Sequence, residues 1–131
     1  MVKNFSINLI RTLKVVVNCT EFDNRSDIPD DFTYYHIHVE DYGLPTHDQI
    51  NRFLELSDKH QSEGEPIVVH CVAGCGRTGQ FIVAWAAHNG FIPKDTDPVD
   101  WIRSHRRCSL ETEEQMAFAR KLSDRFTHKQ R

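Results

Sequence analysis

The chain has 131 residues, a net charge of −3 at neutral pH and 39% hydrophobic residues, which predicts one globular domain over residues 1–131. Its acidic and basic residues are interspersed, so neither nucleic acid nor a membrane surface is an expected partner. No apolar run approaches the roughly 20 residues that cross a bilayer, and the N-terminus has no apolar signal core. Four cysteines in this length suit free thiols better than a disulfide scaffold. We therefore expect a cytoplasmic protein.

In the first half of the chain, apolar periodicity predicts a short helix, two strands and a longer helix. The short helix covers Ser6–Leu13, the strands cover Leu13–Cys19 and Phe32–Val39, and the longer helix ends near His60. Thr46 stands three residues before Gln49, which is the spacing of a capping box. The longer helix should therefore begin directly after Thr46.

In the second half, one strand and three helices are expected. These are a strand over Ile67–His70 and helices over Arg77–Asn89, Asp97 to about Arg106, and Thr112–Phe126. The helix over Arg77–Asn89 is apolar on nearly every side, so it should be the buried central helix. Strands separated by helical crossovers indicate an α/β fold with a mostly parallel sheet, here of about four or five strands, and helices on both faces. Ligands of such domains bind at the carboxyl ends of the strands.

The segment His70–Gly79 follows the third expected strand and is rich in glycine. Glycines let successive main-chain N–H groups point to one centre, and the following helix adds the positive end of its dipole. This is a cradle for a phosphate group. The residues expected to bind phosphate are Val72, Ala73, Gly74, Cys75, Gly76 and Arg77.

Cys71 and Arg77 stand six positions apart in this segment. The field that holds a phosphate also favours a thiolate at Cys71, and the thiolate is the nucleophilic form of cysteine. The planar guanidinium of Arg77 can hold two phosphate oxygens at once. Thr78 can donate a hydrogen bond to the Cys71 sulfur and stabilise it as a leaving group. We predict that Cys71, Arg77 and Thr78 carry the chemistry.

Two other kinds of site are disfavoured. Cys71 and Cys75 with His70 lack the paired spacing of a structural zinc site, and the Gly-Lys-Ser/Thr of a nucleotide-binding P-loop is absent. Neither a metal nor another cofactor is therefore expected. A phosphate-binding module without activity would carry the same loop, and the residues alone leave that alternative open.

His70–Gly79 resembles the HC-x5-R-[ST]-G signature of the cysteine-dependent protein tyrosine phosphatase superfamily. Val39–Thr46 resembles the general-acid loop of that family, and Ile102–Arg106 with Glu111–Gln115 resembles the C-terminal part of small atypical dual-specificity phosphatases. The resemblance covers about residues 14–126. It implies a phosphatase acting on phosphoproteins, at phosphotyrosine and at phosphoserine or phosphothreonine, through a phosphocysteine intermediate. An RNA 5′-triphosphatase, which uses the same loop, would need a more basic surface.

The resemblance also assigns supporting residues. Asp41 is the expected general acid, with Glu40 as its local rival, and both acids could instead merely cap or solvate their loop. Gln115 resembles the glutamine that positions the attacking water, but its spacing from Thr112 fits a capping box equally well. His70 is expected to orient the loop and favour the thiolate rather than act as a base.

A reactive thiolate is also easily oxidised, and a neighbouring thiol can rescue it as a disulfide. Cys19 resembles the second cysteine of the phosphatases of regenerating liver, and Cys75 is close in sequence. We expect reversible oxidation of Cys71 with Cys19 as the favoured partner, although Cys75, or no partner at all, stays open.

Overall fold

The computed structural model describes residues 14–71 and 76–129, with side chains as far as Phe126. Three strands form its sheet: β1 (Val15–Asn18), β2 (Thr33–His36) and β3 (Ile67–His70). Their spatial order is β2-β1-β3, and both pairings are parallel. The mixed α/β fold with a parallel sheet is thus confirmed.

The expected four or five strands are corrected to three within the described residues. β1 and β3 have the β-branched, apolar character of buried strands, whereas β2 (Thr-Tyr-Tyr-His) is only partly buried. The second strand is also shorter than predicted, since it ends at His36, although the N–H groups of Ile37 and Val39 still donate to the carbonyls of Asn18 and Cys19. Ser6–Leu13, predicted to be helical, lies outside the described residues.

Within residues 14–71 and 76–129, four α-helices accompany the strands. They are α1 (His47–Ser62), α2 (Gly76–His88), α3 (Pro98–His105) and α4 (Glu113–Lys129), and a short 3-10 helix spans Arg25–Asp27. Thr46 and Gln49 form the predicted capping box at the start of α1. Asp97 caps α3 by accepting from Val99 N–H at 2.9 Å. No helix in residues 14–71 and 76–129 is long and apolar enough to cross a membrane.

Helix α2 is the central helix that its composition predicted, since it packs against α1, α3 and α4 and is buried along almost its whole length. Phe81 of α2 meets Phe53 of α1 edge to face, with ring centroids 5.1 Å apart. Burying a side chain of this size stabilises the fold by roughly 2–3 kcal/mol. Three polar side chains of α2 are buried with these apolar ones, namely Arg77, Thr78 and Gln80.

The register of the sheet brings two cysteines together. Asn18 of β1 lies opposite His70 of β3, and the N–H of Cys19 donates to the carbonyl of His70 at 2.8 Å. Cys19 and Cys71 therefore leave the carboxyl ends of adjacent strands side by side. Cys71, a predicted site residue, therefore lies at this edge of the sheet.

Candidate active site

The buried thiol of Cys71 lies one residue beyond β3 and is next to the first turn of α2. The hydroxyl of Thr78 donates a hydrogen bond to the Cys71 sulfur at 3.1 Å. Thr78 is itself 2% exposed, so solvent does not compete for this hydrogen bond. A sulfur that carries negative charge in this position is stabilised by the Thr78 hydroxyl.

Arg77 has a buried guanidinium group held by three partners. Its Nη1 donates to the carbonyl of Val39 at 2.9 Å and to Glu21 Oε1 at 3.3 Å, and its Nη2 lies 3.6 Å from Asp41 Oδ1. A buried charge without such partners would be strongly destabilising. The guanidinium is therefore fixed between the end of β1 and the loop after β2.

Glu21 lies in this site and is not among the residues that the sequence predicted. Besides contacting Arg77, its second carboxylate oxygen accepts the N–H of Asp41 at 3.3 Å. Desolvation raises the pKa of Glu21, but the hydrogen bonds from Arg77 and from main-chain N–H groups lower it more, so the net shift favours the carboxylate. Its position just after a strand that neighbours β3 is the only sequence signal that could have identified it.

The loop carrying Asp41 is a tight turn. The N–H of Gly43 donates to the carbonyl of Glu40 at 2.8 Å, and Tyr42 adopts a left-handed φ of 59°, which costs energy for a residue with a Cβ atom. A Cβ atom on Gly43 would lie 2.7 Å from the carbonyl oxygen of Glu40. The turn therefore depends on glycine at position 43.

Within this turn the two acidic side chains have different neighbours. Asp41 is directed to Arg77, as described above, whereas Glu40 accepts from His38 at 2.9 Å. Both carboxyl groups are exposed, with 58% of the Asp41 side chain and 75% of the Glu40 side chain open to solvent. The structure thus brings Asp41, and not Glu40, to the guanidinium.

Gln115 joins the start of α4 to the Asp41 turn. Its Oε1 accepts from the N–H groups of Glu111 at 2.8 Å and Thr112 at 3.3 Å, and its own N–H donates to Thr112 Oγ1 at 3.0 Å. Its Nε2 donates to the carbonyl of Gly43 at 3.2 Å. The capping interactions that were one of its two predicted roles are therefore present.

Gly76, where the phosphate loop enters α2, lies directly against this arrangement. Its N–H donates to Glu111 Oε1 at 3.0 Å. A Cβ atom at this position would lie 2.6 Å from Gln115 Oε1, so a larger residue would displace the Gln115 amide from its present contacts. The other residues of the predicted cradle, Val72–Cys75, lie outside the described residues.

The groups around Cys71 differ in their protonation preferences. Burial lowers the pKa of His70, so its ring is held neutral. Burial raises the pKa of Cys19 strongly, and the nearby Cys71 raises it further, so Cys19 is a protonated thiol. Both cysteines carry free thiols, whereas Cys108 is disulfide-bonded.

A possible metal cluster lies outside this site. In the described part of the chain, ligand-type atoms of His60, Glu63 and Glu65 lie within 4.8 Å of one another. Both ring nitrogens of His60 are already in use, since they contact the Tyr35 hydroxyl at 2.8 Å and Glu65 at 2.9 Å. These contacts explain the cluster without an ion.

The chain is similar to one protein family and to several known proteins. Residues 4–91 match the family described as "Polymorphic toxin system, DSP-PTPase phosphatase". The chain is 36% identical over 84 residues to the uncharacterized protein MJECL20 of Methanocaldococcus jannaschii, covering 63% of this chain and 54% of the relative. It is 32% identical over 115 residues to the human tyrosine-protein phosphatase non-receptor type 12, covering 81% of this chain and 14% of the relative.

The chain therefore spans about half the length of its archaeal relative, and much less of the human one. Among solved structures, the active form of Tk-PTP superimposes with a TM-score of 0.73 at 25% sequence identity. That superposition covers 90% of this chain and 83% of Tk-PTP. PTPMT1 has the same fold at 16% identity, with a TM-score of 0.72 over 93% of this chain and 83% of the other.

Proposed function

Because the chain belongs to the DSP-PTPase phosphatase family, as its resemblance to dual-specificity phosphatases predicted, we propose that it hydrolyses phosphomonoesters of phosphoproteins through a phosphocysteine intermediate. One observation carries the proposal. The Cys71 sulfur accepts a hydrogen bond from Thr78 at 3.1 Å. The residue before Thr78 is the buried Arg77, which faces Asp41. In this proposal Cys71 is the nucleophile, Arg77 binds the anion and Asp41 donates the proton, and their positions at one edge of the sheet support these roles.

The reaction has two steps. The Cys71 thiolate attacks phosphorus, the bond from phosphorus to the ester oxygen breaks, and Asp41 gives its proton to the leaving oxygen. Water then attacks the phosphorus of phosphocysteine while Asp41 takes a proton from it, and the bond between phosphorus and sulfur breaks. Arg77 holds the equatorial oxygens in both steps. Thr78 stabilises the sulfur as it leaves.

The substrate class follows from the surroundings of the site. Phe22 and Tyr42 are adjacent in sequence to Glu21 and Asp41, and both are exposed, as is Leu44 beyond the turn. Large exposed apolar side chains at a site indicate a binding surface. We propose that they contact the phosphotyrosine ring or the residues beside the phosphorylated position. Phosphoserine and phosphothreonine also fit this proposal, because no partner in the mechanism requires an aromatic leaving group.

Turnover of p-nitrophenyl phosphate tests the mechanism. We expect Cys71→Ser and Arg77→Lys to abolish turnover, while Cys19→Ser, a matched change in the neighbouring thiol, retains it. Rapid acid quenching of Asp41→Asn with labelled substrate should trap phosphate on Cys71. Activity should persist with a chelator present. Full activity of Cys71→Ser, or a strict requirement for added metal, would refute the mechanism.

Two further assays distinguish the alternatives. Tight phosphopeptide binding by the unmodified chain without any turnover would indicate a phosphate-binding module. Release of the γ-phosphate from 5′-triphosphorylated RNA, at rates well above those for phosphopeptides, would indicate an RNA triphosphatase. We expect turnover of phosphopeptides and neither of these outcomes.

A further inference from the structure

Gln80 of α2 connects the two loops of the active site. Its side chain is fully buried, and its Nε2 donates to the carbonyl of Gly43 at 3.1 Å and to the carbonyl of Gly76 at 3.2 Å. Gly43 ends the turn that carries Asp41, and Gly76 begins α2 directly after the phosphate loop. A single amide group therefore links the acid turn to the phosphate loop.

The amide oxygen of Gln80 differs from its amide nitrogen. Its Oε1 is buried and has no hydrogen-bond partner among the residues that the structure describes. A buried polar atom without a partner destabilises a fold, and an apolar side chain of similar shape would avoid this cost. The contribution of Gln80 must then come from its amide nitrogen, which donates to Gly43 of the acid turn as well as to Gly76.

The Gly43 carbonyl receives a second buried amide, since Gln115 Nε2 also donates to it at 3.2 Å. The N–H of the same glycine closes the turn on Glu40 at 2.8 Å. If the turn moved away from the site, the amides of Gln80 and Gln115 would lose this shared acceptor. The hydrogen bonds therefore favour the position in which Asp41 faces Arg77.

We propose that Gln80, together with Gln115, is a positioning residue that holds the Asp41 turn closed, so that the carboxyl group of Asp41 reaches the leaving oxygen. This inference rests on the proposed function, in which Asp41 is the general acid. Gln80 touches neither substrate nor the reacting atoms and acts only through Gly43.

The test compares leaving groups in Gln80→Met, which keeps the side-chain volume and removes both the donor and the unpartnered acceptor. Phenyl phosphate has a poor leaving group that needs the acid, whereas p-nitrophenyl phosphate has a good one that needs it less. We expect kcat for phenyl phosphate to fall about tenfold, the share of one hydrogen bond, with a smaller loss for p-nitrophenyl phosphate. The melting temperature should stay equal or rise.

Asp41→Asn is the reference, because it should show the same dependence on the leaving group in stronger form. Suppose that Asp41→Asn shows that dependence, but Gln80→Met lowers kcat equally for both substrates or for neither. The role of Gln80 is then refuted, and the assignment of Asp41 as the acid stands. Loss of the fold in Gln80→Met would also refute it, since it would show a structural role. If Asp41→Asn affects both substrates equally, the acid assignment fails and the role of Gln80 fails with it.

Discussion

Replacement of Thr78 by valine removes one hydroxyl and little else. Valine has nearly the shape of threonine, so the packing of the first turn of α2 should be preserved. Among the described residues, the hydroxyl donates to the Cys71 sulfur at 3.1 Å. The variant therefore measures what that hydrogen bond contributes to the reaction.

The size of the effect follows from the burial of this pair. A hydrogen bond to a charged group contributes about 1.5–3 kcal/mol, and each 1.36 kcal/mol changes a rate about tenfold. Thr78 is 2% exposed, so water cannot replace the lost donor. The sulfur gains negative charge when phosphocysteine is hydrolysed, so we expect Thr78→Val to slow that step by about 10- to 150-fold. Phosphorylation of Cys71, in which the sulfur loses charge, should be slowed much less.

Rapid mixing with p-nitrophenyl phosphate separates the two steps. Thr78→Val should release a burst of p-nitrophenolate equal to the enzyme concentration and then turn over slowly. Thr78→Ser keeps the hydroxyl and should retain turnover close to that of the unmodified chain. Equal steady-state rates for the valine variant and the unmodified chain, or an equally slow serine variant, would contradict this reasoning.

Three other predictions concern protons and thiols. Asp41→Asn should lower kcat by about 10²- to 10⁴-fold and remove the fall in kcat/KM at high pH. Glu40→Gln should leave kcat and the pH profile unchanged. The reverse pattern would make Glu40 the acid. Mild peroxide should inactivate the chain reversibly through a Cys19–Cys71 disulfide, because adjacent strands lie about 4.8 Å apart and a bridge needs Cα atoms within roughly 7 Å. Peptide mapping that finds only sulfinic or sulfonic Cys71, with no recovery by thiols, would reject the switch. Burial lowers the pKa of His70 in the folded chain. Below the ordinary histidine pKa of about 6.5, the unfolded chain therefore binds a proton at His70 that the folded chain does not. Stability should fall as pH drops through that value, and His70→Gln should reduce the slope measured by denaturant unfolding.

Local signals predicted much of this protein. The capping box at Thr46 and the apolar composition of α2 both depend on residues within a few positions of one another, so the sequence displays them directly. The spacing of Cys71, Arg77 and Thr78 is also visible in the sequence, because a phosphate loop is built from consecutive main-chain groups. The number of strands was less predictable, since pairing is decided by segments that are distant in sequence.

Residues that act across the fold were missed for the same reason. Glu21 contacts Arg77 although 56 positions separate them, and only its position after a strand that neighbours β3 points to the site. Gln80 lies in an apolar helix, where one polar residue has no visible purpose until Gly43 is placed beside it. Both roles depend on the packing of α2 against loops from the first half of the chain.

The buried charge of Arg77 explains why residues that are distant in sequence meet at this site. A guanidinium group taken out of water needs carboxylates and carbonyls around it, and here they come from Glu21, Val39 and the Asp41 turn. A bound phosphate dianion would satisfy the same guanidinium group and compete with these carboxylates. The turn can then release its contact with Arg77, while Gln80 and Gln115 keep it near the site through Gly43. In the proposed mechanism, Arg77, which we propose binds phosphate, would then also help to place Asp41, the proposed proton donor.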